Sequence, residues 1–165
     1  MKNYFLLGMP ASGKSTIADY ISEKTNLYKI DLDEEIEKHC NLSIIDIFNI
    51  KGETYFRKTE SIILKKIISE KKNFILSTGG GSPCHNNNLK IILKNGISIF
   101  INTPKTTIIK RIEKNTKRPM FKNKKNIRNK INELYESRLS FYKQSNYTVS
   151  KKFKKKTLSI IKIQS

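Results

Sequence analysis

Gly8-Met9-Pro10-Ala11-Ser12-Gly13-Lys14-Ser15-Thr16 fits the pattern G-x-x-x-x-G-K-[ST] with every fixed position filled. The apolar run Tyr4-Phe5-Leu6-Leu7 precedes it, short enough for a buried strand, and Ile17, Ala18 and Ile21 follow at helical spacing. Strand, glycine turn and helix, in that order, form the context the motif requires. Gly8 and Gly13 let backbone N–H groups converge on a phosphate with no Cβ in the way. The helix that follows adds its unpaired N–H groups and the positive end of its dipole. Ala11, Ser12, Gly13, Lys14, Ser15 and Thr16 are therefore expected to line a bound nucleoside triphosphate. Lys14 would reach the β- and γ-phosphates as a point charge, and the Ser15 hydroxyl would ligate Mg²⁺.

At 165 residues the chain is expected to form one domain over 1–165. A domain of that length buries roughly two-thirds of its unfolded surface. No apolar run approaches the ~18 residues of a membrane span, so no membrane role is expected. The two cysteines, Cys40 and Cys84, have neither metal nor redox spacing and read as reduced thiols of a cytoplasmic protein. His39 and His85 lie far apart and suggest no metal site.

The formal net charge of +19 raises the question of nucleic acid. The lysines are spread along the chain among Asn and Ile, the composition an AT-rich genome produces, and no aromatic-spaced patch accompanies them. No nucleic-acid partner is expected on that ground. Only five of the 33 basic residues are arginine: Arg57, Arg111, Arg118, Arg128 and Arg138. Lysine does not replace arginine where a planar fork must grip an anion, so these five are the candidates for such contacts.

Residues 28–33 read as a strand ending in Asp31 and Asp33, which alternation sends to the same side. Either carboxylate can equally cap the helix that follows. Two short helices are expected within 34–50, then a longer helix entered through Gly52-Glu53-Thr54-Tyr55-Phe56-Arg57. Phe74-Ile75-Leu76-Ser77 reads as a buried strand running into Thr78-Gly79-Gly80-Gly81, where three glycines allow close backbone approach to a ligand. A helix through Leu89 and Ile92, a strand over 97–101 and a helix containing Arg111 follow. The chain turns polar over 116–129, enters a helix over 131–142 with Arg138, and ends with a strand at 147–149, a lysine-rich turn and a short helix. Strands alternating with helices predict a three-layer α/β/α fold, a mainly parallel five-stranded sheet with helices on both faces.

Gly8 to Ser15, Asp31-x-Asp33, Gly52-Glu53-x-x-Phe56-Arg57-x-x-Glu60, Gly79-Gly80-Gly81, Arg118-Pro119 and Arg138 with Tyr142 occur in the order and spacing of one family. Along nearly its whole length the sequence resembles shikimate kinase. The phosphate loop is shared by many nucleotide enzymes; the Gly-Glu-x-x-Phe-Arg run with the triple glycine is far more specific.

The resemblance implies ATP-dependent phosphorylation of the 3-hydroxyl of shikimate, a step toward chorismate and the aromatic amino acids. It implies Mg²⁺ held by Ser15 and, mainly through water, by Asp31. Lys14, Asp33 and Arg118 would be the catalytic residues. Asp33 would orient the attacking hydroxyl, and Arg118 would close over the phosphates from a mobile lid at about 116–129. Arg57 and Arg138 would grip the shikimate carboxylate, with Gly79, Gly80 and Gly81 against the ring and shikimate-binding helices over about 34–61. Arg111 would lie near the adenine, or serve as a surface charge. Glu60 would orient Arg57, and Phe48 and Phe56 would form pocket wall or core. A monomer is expected.

The chain departs from the family at Ser12, where the usual phosphate loop has glycine, and around Ser150–Lys155, where the adenine loop is poorly defined. Gluconate kinase shares the architecture without the Gly-Glu-x-x-Phe-Arg run and the triple glycine. Adenylate kinase is disfavoured by Asp31-x-Asp33. A non-catalytic basic protein would have no need of Lys14, Asp33, Arg57, Arg118 and Arg138 together.

Overall fold

Strand β1 (Tyr4–Leu7) is buried along its whole length, and its alternation feeds two cores. Tyr4 and Leu6 pack with Ile17, Ala18, Ile21 and Ile161 on one face of the sheet. Phe5 and Leu7 pack with Leu64, Ile92, Phe100 and Tyr142 on the other. A strand buried on both faces must be apolar at every position, which is why this one reads as a continuous run. Each such side chain, taken from water, contributes about 1.5–3 kcal/mol.

The computed structural model describes residues 2–114 and 126–164; Arg118 and most of the segment expected as a lid lie outside the described residues. After β1 come α1 (Lys14–Lys24), β2 (Tyr28–Asp31), α2 (Leu32–Cys40), α3 (Ile44–Ile50), α4 (Gly52–Glu70) and β3 (Phe74–Ser77). A 3₁₀ turn (Ser82–Cys84) leads to α5 (Asn88–Asn95), β4 (Ile97–Ile101) and α6 (Lys105–Lys114). Then follow α7 (Ile127–Tyr142), β5 (Tyr147–Val149) and α8 (Phe153–Gln164). Among the described residues the five strands form one parallel sheet, in the order β2-β3-β1-β4-β5. Helices cover both faces, as alternation of strands and helices predicts.

Two expectations need correction. The strand expected over 28–33 stops at Asp31, because Asp31 is the N-cap of α2: its Oδ1 accepts from the Asp33 backbone N–H at 3.1 Å. Asp31 and Asp33 share a region through that cap, with Asp33 in the first helical turn, and strand alternation plays no part. The helix carrying Arg138 begins at Ile127, four residues earlier than its apolar pattern suggests, because Ile127 joins Ile131 in the core. Residues 127–129, expected in the lid, are therefore helical.

With seven glycines in the chain, asparagine takes left-handed positions. Asn41, Asn73, Asn86 and Asn87 all have positive φ, and Asn41 ends α2 in that conformation at φ 50°. The sheet's geometry then places the carboxyl ends of β1, β2 and β3 side by side, the edge at which open parallel sheets bind ligands.

Candidate active site

The phosphate loop bridges β1 and α1. Gly8 has φ 144°, and a Cβ there would stand 2.8 Å from the Ile101 carbonyl oxygen, so the loop can approach β4 only with glycine. Ser12, the departure from the family pattern, has no such constraint. The left-handed non-glycine residue is Ala11, at φ 61°, a conformation that costs a side-chain-bearing residue about 1–2 kcal/mol. Two tethers hold the loop in that shape. Arg111 on α6 donates from Nη1 to the Ala11 carbonyl at 2.9 Å, and buried Thr103 donates to the Ser12 carbonyl at 2.8 Å. Arg111 thus bears on the nucleotide loop itself, whatever it meets beyond it; Thr103 gave no sequence signal.

Lys14 is buried, and its ammonium group donates to the carbonyls of Gly8 and Met9, both at 2.9 Å. Folded back in this way, the cation lies along the loop whose amides receive phosphate. Ser15 and Thr16, by contrast, are exposed at the start of α1.

The Ser15 hydroxyl donates to Asp31 Oδ2 at 2.7 Å and lies 3.2 Å from Ser77 Oγ. Since Ser15 spends its single proton on Asp31, Ser77 donates to Ser15. The β2–β3 register pairs Asp31 directly with Ser77, which is how a strand-end serine enters this cluster. Two hydroxyls and a carboxylate are hard oxygen donors suited to a small divalent cation that keeps most of its water. Among the described residues no group of three or more His, Cys, Asp or Glu forms a metal cluster.

A second, cationic pocket adjoins the first. Arg57 on α4 is buried, with Nη1 2.9 Å from Glu60 Oε2 and Nε and Nη2 each 3.2 Å from Glu53 Oε1. Glu60 has no exposed surface, and burial pushes its carboxyl up to about 7 despite the opposing pull of Arg57. Asp33 and Arg138 act on the same carboxyl, which puts all four charges in one neighbourhood. Arg138 on α7 is buried, and its Nη1 has no hydrogen-bond partner. Leaving a buried guanidinium nitrogen unpaired costs free energy that a bound anion would recover.

The triple glycine is explained by what it packs against. A Cβ at Gly79 would lie 2.8 Å from Glu60 Oε1 and 3.1 Å from Asp33 Oδ1. At Gly80 it would meet the Pro10 ring at 2.5 Å, and at Gly81 the Arg57 Nη2 at 2.7 Å. The close approach that excludes side chains is therefore to the site's own residues, and it wedges the turn between the phosphate loop and the arginine pocket. Cys84 and His85, just beyond the turn, also feel Arg57 and Arg138. Burial pushes the Cys84 thiol up and holds the His85 imidazole down, so both stay neutral near pH 7. Phe48 and Phe56 pair at 4.6 Å, and Phe56 is core.

Lys14, Ser15, Asp31, Asp33, Arg57, Arg111, Arg138 and the glycines at 79–81 are thus brought to one edge of the sheet. Ser77, Thr103 and Tyr142 join them without having been assigned roles from the sequence.

Comparison with known proteins identifies the family. The family model described as shikimate kinase matches residues 10–163. A shikimate kinase of Persephonella marina is 38% identical over 150 residues, covering 91% of this chain and 89% of the relative. The structure of shikimate kinase from Acinetobacter baumannii in complex with shikimate superposes with a TM-score of 0.91 at 26% identity, covering 99% of this chain and 93% of the other. That of shikimate kinase from Aquifex aeolicus gives 0.79 at 32% identity, covering 98% and 94%. The chain belongs to the shikimate kinase family.

Proposed function

We propose that this chain transfers the γ-phosphoryl group of ATP to the 3-hydroxyl of shikimate, giving shikimate 3-phosphate and ADP. The observation that carries the reading is buried Arg138, whose unpartnered Nη1 lies in the neighbourhood of Arg57, Asp33 and the glycine turn beside the phosphate loop. A small acceptor with a carboxylate at one end and ring hydroxyls at the other matches that polarity: guanidinium groups for the anion, a carboxylate for the hydroxyls.

In this reading the ATP phosphates lie on the amides of residues 11–16, and Lys14 leaves the Gly8 and Met9 carbonyls for the β- and γ-oxygens. Asp33 accepts a hydrogen bond from the attacking hydroxyl and takes its proton as the new P–O bond forms. Phosphoryl transfer has a loose transition state, so alignment and charge neutralisation supply most of the acceleration. Mg²⁺ is the metal we assign; Ser15 and Asp31 would hold it, with Ser77 hydrogen-bonded behind Ser15, and it would supply positive charge to offset that of the phosphates. Arg118 is assigned to neutralising developing charge by resemblance alone. Arg111 serves the nucleotide through its tether to Ala11. We assign the cytoplasm on the two cysteines, which have neither metal nor redox spacing, and a monomeric state by resemblance alone. No helix among the described residues is long and apolar enough to cross a membrane.

The test is ADP release from ATP and Mg²⁺, coupled to NADH oxidation, with shikimate, gluconate or AMP as acceptor. Turnover with shikimate alone supports the reading. Turnover with gluconate or AMP instead, or silence with all three despite nucleotide binding, overturns it.

A further inference from the structure

Tyr142 closes α7 with its ring fully buried, stacked on Phe100 at a centroid distance of 5.0 Å and an interplanar angle of 26°. Phenylalanine would supply that packing. The hydroxyl therefore needs its own reason, since a polar group in such a place is costly unless it is bonded. It donates to the Gly80 carbonyl, lies 3.9 Å from Met9 Sδ in the phosphate loop, and accepts from the Arg138 guanidinium. Burial pushes the phenol far above its ordinary range, so it remains a donor at every working pH.

The peptide after Gly80 is planar and trans, so a carbonyl drawn toward Tyr142 turns the Gly81 N–H the opposite way, away from the core. Gly80 backs onto Pro10, and Gly81 onto the Arg57 guanidinium. The Ser82 N–H closes this turn on the Gly79 carbonyl at 3.1 Å, and the Tyr142 hydroxyl anchors the peptide between the phosphate loop and the arginine pocket to the core. Arg138 lies one helical turn before Tyr142 on the same face of α7, so a single helix carries the anion-binding cation and the clamp on the turn.

We propose that the Tyr142 hydroxyl is a positioning residue for the reaction, orienting the Gly79-Gly80-Gly81 turn between the acceptor pocket and the phosphate loop. The inference rests on the kinase reading above. It is tested by Tyr142→Phe, with Tyr4→Phe as a matched deletion of a buried hydroxyl. The Tyr4 hydroxyl donates to the Ile161 carbonyl in the core on the other face of the sheet. Shikimate KM, kcat, thermal stability and amide hydrogen exchange over residues 79–82 of the free protein are measured for both variants and wild type.

Loss of one buried hydrogen bond predicts a rise in shikimate KM of about fivefold or more and faster exchange in the glycine turn for Tyr142→Phe. Tyr4→Phe should change neither. A Tyr142→Phe protein that loses thermal stability but keeps wild-type KM and exchange overturns the inference and leaves the kinase reading standing. Wild-type protein without shikimate-dependent ADP release overturns the kinase reading and this inference together.

Discussion

Glu60 Oε2 accepts from Arg57 Nη1 at 2.9 Å, while Glu60 Oε1, equally buried, has no hydrogen-bond partner. Burial lifts this carboxyl from 4.5 to about 7, so between those values the folded protein holds a proton that the unfolded chain releases. Stability from this group is complete below about pH 4.5, falls as pH rises, and is lost above about pH 7. The loss is on the order of 3 kcal/mol. Glu60→Gln should flatten that part of the profile of melting temperature against pH. Identical slopes for variant and wild type across the window would remove Glu60 from the explanation.

Arg138→Ala should act on shikimate. Charge-assisted hydrogen bonds of ~1.5–3 kcal/mol correspond to a rise in shikimate KM of about 10- to 100-fold. The ATP KM should change little. Arg138→Lys should recover only part of the loss, because an ammonium cannot present two parallel donors to a carboxylate. Steady-state kinetics with each substrate varied decides it, and an unchanged shikimate KM would count directly against the assigned role.

Ser77 donates to the oxygen with which Ser15 would meet a cation. Ser77→Ala should raise the Mg²⁺ concentration for half-maximal activity about fivefold, the worth of one hydrogen bond. Affinity for metal-free ADP, measured in EDTA, should stay at the wild-type value. An equal loss of ADP affinity with and without metal would mean that the substitution disturbs the strand end, not the cation.

Arg111→Ala frees the Ala11 carbonyl and leaves a left-handed alanine with one brace fewer. The expected result is about a fivefold weaker Kd for ADP with shikimate affinity unchanged. Isothermal titration with each ligand separates the two effects. Loss of shikimate affinity alone would place Arg111 in the wrong pocket.

Features legible in the chain are those written in consecutive residues or in a short period. The phosphate loop occupies nine consecutive positions, β1 shows as one apolar run, and α5 and β4 follow their periodicities. The bias toward lysine also makes the retained arginines legible: Arg57, Arg111 and Arg138 all reach the site. Where the structure differs from the sequence pattern, a single hydrogen bond or a single core contact decides. Residues 31–33 look like the end of a strand until the Asp31 side chain caps α2, and Ile127 looks like loop until it reaches the core.

By itself, then, the sequence determined the order of strands and helices, the nucleotide loop and the identity of the charged groups, because each depends on local spacing. Tertiary structure alone decided which of those groups meet. Ser15 and Ser77 are 62 residues apart, and so are Gly80 and Tyr142; the β2–β3 register sets Ser77 beside the Asp31 that Ser15 bonds, and helix packing brings the second pair together. It also decided protonation. Glu60 is one of fourteen acidic residues in the chain, and only complete burial beside Arg57 sets it apart from the others, because desolvation arises from the surrounding fold and not from the residue.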